Sequence, residues 1–264
     1  MISLKALSSP RPLPTLRRPN PSSASALRVV ASAGMASSAV ATPIEHIVLI
    51  KVRPESAASG AATAMVSAME ALDTQVPGLA YIHAGPVLRL SSPAAEALGP
   101  THLLHSRYAT KPDLAAYATH PAHVAVVQGH VLPNALDTTA VDWVNAAPCA
   151  CPVAPGNVVR LTLAKAREGV ETVQILEAVT AATKVAAEIM GIRVSFGESF
   201  SPARAKGYQF GMVAVFNSVE ELDAVEGNEK VLEARAGIRS RLAEQVVLDF
   251  VVGSAGDASA PANL

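Results

Sequence analysis

Internal repetition constrains this chain of 264 residues more than any other feature. HIVLIKVR at His46–Arg53 is answered by RLTLAKAR at Arg160–Arg167. Pro77-Gly78-Leu79 is answered by Met190-Gly191-Ile192, and Ala84-Gly85-Pro86 by Phe196-Gly197-Glu198. KPDLAAY, ending at Tyr117, matches VEELDAV, ending at Val225. The copies close on Val141-Asp142-Trp143-Val144 and Leu248-Asp249-Phe250-Val251. Between matched landmarks the offset drifts only from 114 (46 to 160) to 107 (141 to 248), so a few short deletions in the second copy account for it. Five landmarks in one order mark a duplicated unit, and a duplicated unit must be read before any single element is placed.

Within each copy the periodicities give strand, helix, strand, strand, helix, strand. Ile44–Val52 alternates, with Ile44, His46, Val48, Ile50 and Val52 on one face and Ile47, Leu49 and Lys51 on the other. A helix is expected over 57–73, where Met65, Met69 and Leu72 form one stripe. Strands follow at 79–90, 101–110 and 140–144. The second copy predicts a long helix over 171–190 and a closing strand over 245–252. Such a unit makes an antiparallel sheet with both helices on one face and leaves the other face to be buried. The fold class expected is α+β. Two ferredoxin-like β-α-β-β-α-β halves pack sheet to sheet as an intramolecular dimeric α/β barrel, which also hides strand edges.

The flanks differ in character. Up to residue 42 the chain holds Lys5, Arg11, Arg17, Arg18 and Arg28 and no acid. Taking these five from 21 basic residues leaves 16 against 22 acidic ones, a body of charge −6. That body gives no electrostatic reason to bind nucleic acid or an anionic membrane. No apolar run approaches the roughly 20 residues that span a bilayer. The basic, Ser- and Pro-rich, acid-free beginning fits a transit segment over 1–43 and a chloroplast destination. Met35 could start a shorter, cytosolic product, and the ending Ala262-Asn263-Leu264 distantly resembles a peroxisomal address. The repeats are expected at 44–144 and 157–252, with a linker at 145–156 and a flexible tail at 253–264. Cys149 and Cys151, the only two cysteines, read as plain linker thiols, since no second Cys or His pair stands at zinc spacing. Gly197 and Gly207 read as turn glycines.

HIVLIKV, PGLAYIHAG, THLLHSRY, PDLAAYATHPAHV and AVDW together resemble the stress-responsive A/B barrel family, closely over 44–144 and in degraded form over 157–252. The arrangement is similar to the tandem two-domain plant members. One branch of that family is a plant polyketide cyclase that closes a linear chain by intramolecular aldol condensation. Its pocket residues match His46, His102, Tyr117 and His123 here. The resemblance implies His123 as base with Tyr117 as its partner, and His46 and His102 as positioning groups. An imidazole near its ordinary pKa can take a proton alpha to a carbonyl while a phenol stabilises the enolate. Strand alternation is consistent with His46 and His102 facing the barrel interior, and His120 before Pro121 reads as a helix N-cap.

HPAH-type sequences also occur in non-enzymatic members, so the expected function is a non-catalytic stress-response barrel binding a small apolar ligand, with the cyclase as alternative. In the second copy Arg160, Phe210, Val225 and Val231 stand where His46, His102, Tyr117 and His123 stood. That half is expected to be packed solid, a structural partner without titratable pocket groups. No phosphate-binding glycine loop and no Ser/His/Asp order at informative spacing is present. No cofactor is expected. Magnesium and a homodimer come from the family resemblance alone.

Overall fold

The computed structural model describes residues 42–147 and 151–253. The leader up to residue 41, Cys149 and the tail from residue 254 lie outside the described residues. The first half runs β1 (Ile44–Val52), α1 (Pro54–Ala58), α2 (Ala61–Glu70), α3 (Leu72–Gln75), β2 (Leu79–Leu90), α4 (Pro93–Leu98) and β3 (His102–Tyr108). It continues through α5 (Lys111–Thr119), α6 (Pro121–Val126), a π-helical turn (Val127–Val131), α7 (Leu132–Asn134) and β4 (Ala135–Val144). The second half is simpler: β5 (Val158–Ala166), α8 (Thr172–Met190), β6 (Arg193–Glu198), β7 (Phe210–Phe216), α9 (Val219–Glu226), α10 (Glu229–Arg239) and β8 (Leu242–Val251).

The helix expected over 57–73 is broken into three short pieces. Gly60 adopts φ +79, a left-handed conformation that ends α1 and restarts the chain as α2. In the second half no glycine interrupts 172–190, and one 19-residue helix forms, opened by a Glu171–Gln174 capping box. β4 also begins five residues earlier than the expected 140, because its polar stretch Asp137–Thr139 pairs with Leu49–Lys51 and completes the β1 ladder.

Each half has strand order 4-1-3-2, and the two join in one eight-stranded sheet, β4-β1-β3-β2-β8-β5-β7-β6. At one seam β2 pairs with β8 through Val87–Phe250 and Leu90–Leu248. At the other, Phe200 N–H donates to the Asp142 carbonyl at 3.0 Å and Ala146 N–H to that of Phe196 at 2.8 Å. The sheet therefore rolls into a barrel, and the free edge of an isolated unit is removed at both seams. Inside lie Ile47, Leu49, Leu103, Trp143, Leu161, Val213, Leu248 and Phe250, all at most 2% exposed. Helices α2, α3 and α5 cover the outer face of the first half and α8, α9 and α10 that of the second, whereas α4 packs through Ala95 on the interior cluster.

Two aromatic residues at equivalent positions fit the halves together. Trp143 on β4 lies over the paired glycines Gly197 and Gly211, where an added Cβ would come within 2.9 and 2.3 Å of the indole. Phe250 on β8 lies over Gly85, where a Cβ would meet its ring at 3.1 Å. Gly197 is thus a strand residue that makes room for an indole. The turn expected from its identity is absent, whereas Gly207, at φ +82, does sit in a turn. Cys151, in the stretch read as a linker, is 1% exposed and packs with Val153 in the interior cluster.

Candidate functional site

His46 projects from the face of β1 that the helices cover, opposite the barrel interior expected for it. Interior residues of β1 are the odd-numbered Ile47 and Leu49, and helix-covered ones are Ile44, Ile50 and Val52. His46 Nδ1–H donates to Asp142 Oδ1 on β4 at 2.5 Å. Asp142 is fully buried and also accepts a bond from Arg204 Nη2 at 2.5 Å. Burial alone would raise its carboxyl, but the His46 hydrogen bond and charge, with Arg204 behind them, hold it below the ordinary value.

Around His46 the aromatic groups gather. Tyr117 of α5 lies 6.2 Å from it between ring centroids, and His123 of α6 lies 4.3 Å from Tyr117. Tyr117 is 2% exposed and its phenol is pushed well above the ordinary range by burial. Burial also lowers the half-buried His123 imidazole, reinforced by the charges of His46, Arg204 and His120, although a 3.0 Å contact with the Ala118 carbonyl works the other way. His120 caps α6 as expected, its Nδ1 accepting from Ala122 N–H at 3.2 Å.

His46, Tyr117 and His123 line one cavity with Val48, Ile50 and Leu104, but its volume is about 60 Å³. At about 30 Å³ per water that is room for two waters. His102 does not join them. It sits at the far end of β3 opposite Ile50 and bonds Thr101 Oγ1 at 3.0 Å, its imidazole lowered by burial.

The second half is not packed solid. Between the outer sheet face and helices α8 and α10 lies a cavity of about 310 Å³. Ile175, Val179, Phe196, Phe210 and Met212 give it apolar walls. Thr162 and Ala164 on its floor stand where β1 carries Val48 and Ile50, and the loss from Ile50 to Ala164 leaves volume that no neighbour refills.

Nor is this half without charged groups. Arg160, in the position of His46, donates from Nε and Nη2 to the two carboxylate oxygens of Asp249 at 2.7 and 3.0 Å. Its Nη1 bonds Glu226, which also accepts from Arg235 at 2.6 Å. Arg89 reaches across from β2 to Asp249 at 2.5 Å and to Asp223 at 2.6 Å. Burial alone would raise Glu226, but Arg235 and Arg160 together hold it low. The signal for this network was in the repeat itself: an aspartate recurs on both closing strands, at 142 and 249, opposite the residue that changes from His46 to Arg160.

A further polar group was not anticipated. Glu45, fully buried in the barrel, accepts from His105 Nε2 at 2.8 Å and from Arg107. Burial would raise its carboxyl, yet the His105 bond and the charges of His105 and Arg107 hold it down to about 2. Among the described residues no three His, Cys, Asp or Glu side chains gather as a metal site needs. No helix among these residues is long and apolar enough to cross a membrane.

The duplicated 4-1-3-2 barrel agrees with a family match. The model of the stress responsive A/B barrel domain matches twice, over 44–145 and 158–252. This chain belongs to that family. One stress-response A/B barrel domain-containing protein of Arabidopsis thaliana is 37% identical over 219 residues, covering 82% of this chain and 81% of its own. A second Arabidopsis protein of the same description is 33% identical over 213 residues, covering 80% of this chain and 97% of its own. Among solved structures, a Fusobacterium nucleatum protein described as a candidate monooxygenase superposes with a TM-score of 0.58 at 10% identity, over 81% of this chain and 94% of that one. At that identity the likeness shows the barrel fold alone. In this family member, then, the imidazole–aspartate pair of one half and the arginine–aspartate pair of the other sit at matching strand positions.

Proposed function

We propose that this stress-response barrel acts by holding a small apolar ligand, without turnover, in the cavity of its second half. The observation that carries the reading is the volume of about 310 Å³ with apolar walls, against about 60 Å³ in the half that holds the histidines. Ligand sites in proteins begin at about 300 Å³ and are mostly apolar with a few placed polar groups. The Asp249–Arg160–Glu226–Arg235 chain is satisfied internally, so it forms a fixed end wall and offers no proton donor of adjustable pKa.

The test is binding of 1-octanol, followed by calorimetry and by thermal shift, to the wild type and to Ala164→Phe and Leu176→Trp, which fill the cavity from floor and from α8. Binding that disappears in both variants while their circular dichroism is unchanged supports the reading. Binding equal in all three proteins overturns it.

A second reading, cyclase chemistry in the first half, is favoured by one observation: His46, Tyr117 and His123 converge on a single cavity. A depressed His123 is neutral at pH 7, as a base must be. Room for two waters does not admit a polyketide chain, so this reading also requires the α6 segment to move. Aldol product formed by the wild type and lost in His123→Ala would establish it.

A further inference from the structure

The charges on the second-half cavity do not cancel. Arg89, Arg160 and Arg235 face it with Asp223 and Glu226, and these two carboxylates and the buried Asp249 behind them neutralise the three guanidinium groups. These six form one continuous chain of ion pairs. Three guanidinium groups meet three carboxylates, and that wall is closed to a further ion. Arg239, one turn beyond Arg235 on α10, also lines the cavity, at its exposed rim, and among the described residues its guanidinium takes part in no ion pair or side-chain hydrogen bond. The cavity thus combines apolar walls from Ile175, Val179, Phe196, Phe210 and Met212 with one uncompensated cation where it opens to water.

We propose that the ligand is a monocarboxylic acid whose apolar body lies between α8, α10 and the sheet and whose carboxylate meets Arg239 at the rim. This rests on the ligand-holding reading above and adds the head group to it. A volume of about 310 Å³ equals that of about ten liquid waters, which suits a body of on the order of ten heavy atoms. Guanidinium is the side chain whose fork matches a carboxylate, and at the exposed rim the pair remains partly hydrated. A cationic ligand of the same shape would bring its charge against Arg239, and a neutral one would leave the guanidinium to water. An arginine in the last turn of a helix also complements the helix dipole. That role is indifferent to the ligand, and it is what the experiment separates.

Three eight-carbon probes share one body: octanoate, 1-octanol and octylamine. Below their micellar concentrations, calorimetry on the full chain at neutral pH should rank octanoate first by about five- to tenfold over octanol, the size expected of one charge-assisted hydrogen bond at a partly wet site, with octylamine last. Arg239→Gln should bring octanoate down to the octanol affinity and leave octanol within twofold of wild type. Raising ionic strength should weaken octanoate and spare octanol. Octanol and octanoate binding equally well in the wild type, or an octanoate affinity unaltered in Arg239→Gln, overturns the head-group assignment while the cavity reading stands. No binding of any probe overturns both.

Discussion

Arg89 Nε on β2 lies 2.5 Å from Asp249 on β8, and Arg204 Nη2, from the second half, lies 2.5 Å from Asp142 on β4. Each half thus sends an arginine to the buried aspartate on the closing strand of the other. The same aspartates hold His46 and Arg160 within their own halves. The two candidate sites are built around these residues, so both sites and the barrel seams share one set of charges.

Substitution at Arg160 should separate charge from shape. Arg160→Leu leaves Asp249, which is fully buried, with the partly exposed Arg89 as its one remaining cation and the Ser91 hydroxyl beside it, and should cost about 3 kcal/mol in urea unfolding. Arg160→His restores the pairing that His46 makes with Asp142, and should cost less than the leucine. Equal losses in the two variants would mean that the ion pair contributes nothing beyond packing.

The glycines under Trp143 predict a sharp contrast. Gly211→Ala places a Cβ within 2.3 Å of the indole and should destabilise by about 3 kcal/mol. Gly237→Ala, in the last turn of α10 with nothing within 4 Å, should be neutral or stabilise by up to about 1 kcal/mol. Thermal melting of the two variants checks both signs.

Acid should unfold the barrel through its buried carboxylates. Glu45 ionises near 2 in the fold against 4.5 for a free side chain, and Asp142 also ionises below its ordinary 3.8. Below those ordinary values the unfolded chain holds more protons than the folded one. The stability from these groups is therefore complete above about pH 5 and is lost as pH falls towards 2. For Glu45 alone roughly 3 kcal/mol is at stake. The urea midpoint should fall steeply between about pH 5 and pH 3, and Glu45→Gln should flatten that slope. An unchanged slope would show that Glu45 is not held low.

The repeat made the barrel legible in the sequence, because matched landmarks and alternating strands leave few other ways to bury the second sheet face. What alternation could not supply was which face meets the helices. Both faces of β1 are apolar, so alternation alone is consistent with His46 in the interior, whereas it lies under α5 and α6. The gathering of Tyr117, His123 and His46 follows from motif order, whereas His102 is separated because it opens β3, at the far end of the strand. The second-half cavity was illegible for a different reason. A void is set by the sum of neighbouring volumes, and exchanges such as Ile50 to Ala164 look conservative one position at a time.

Whether the second half holds the ligand can be read from a crystal grown with 8-bromooctanoate and measured at the bromine absorption edge. One anomalous peak is expected between α8, α10 and the sheet, beside Phe196, Phe210 and Met212. A peak beside His46, Tyr117 and His123, or none in either half, would contradict that placement.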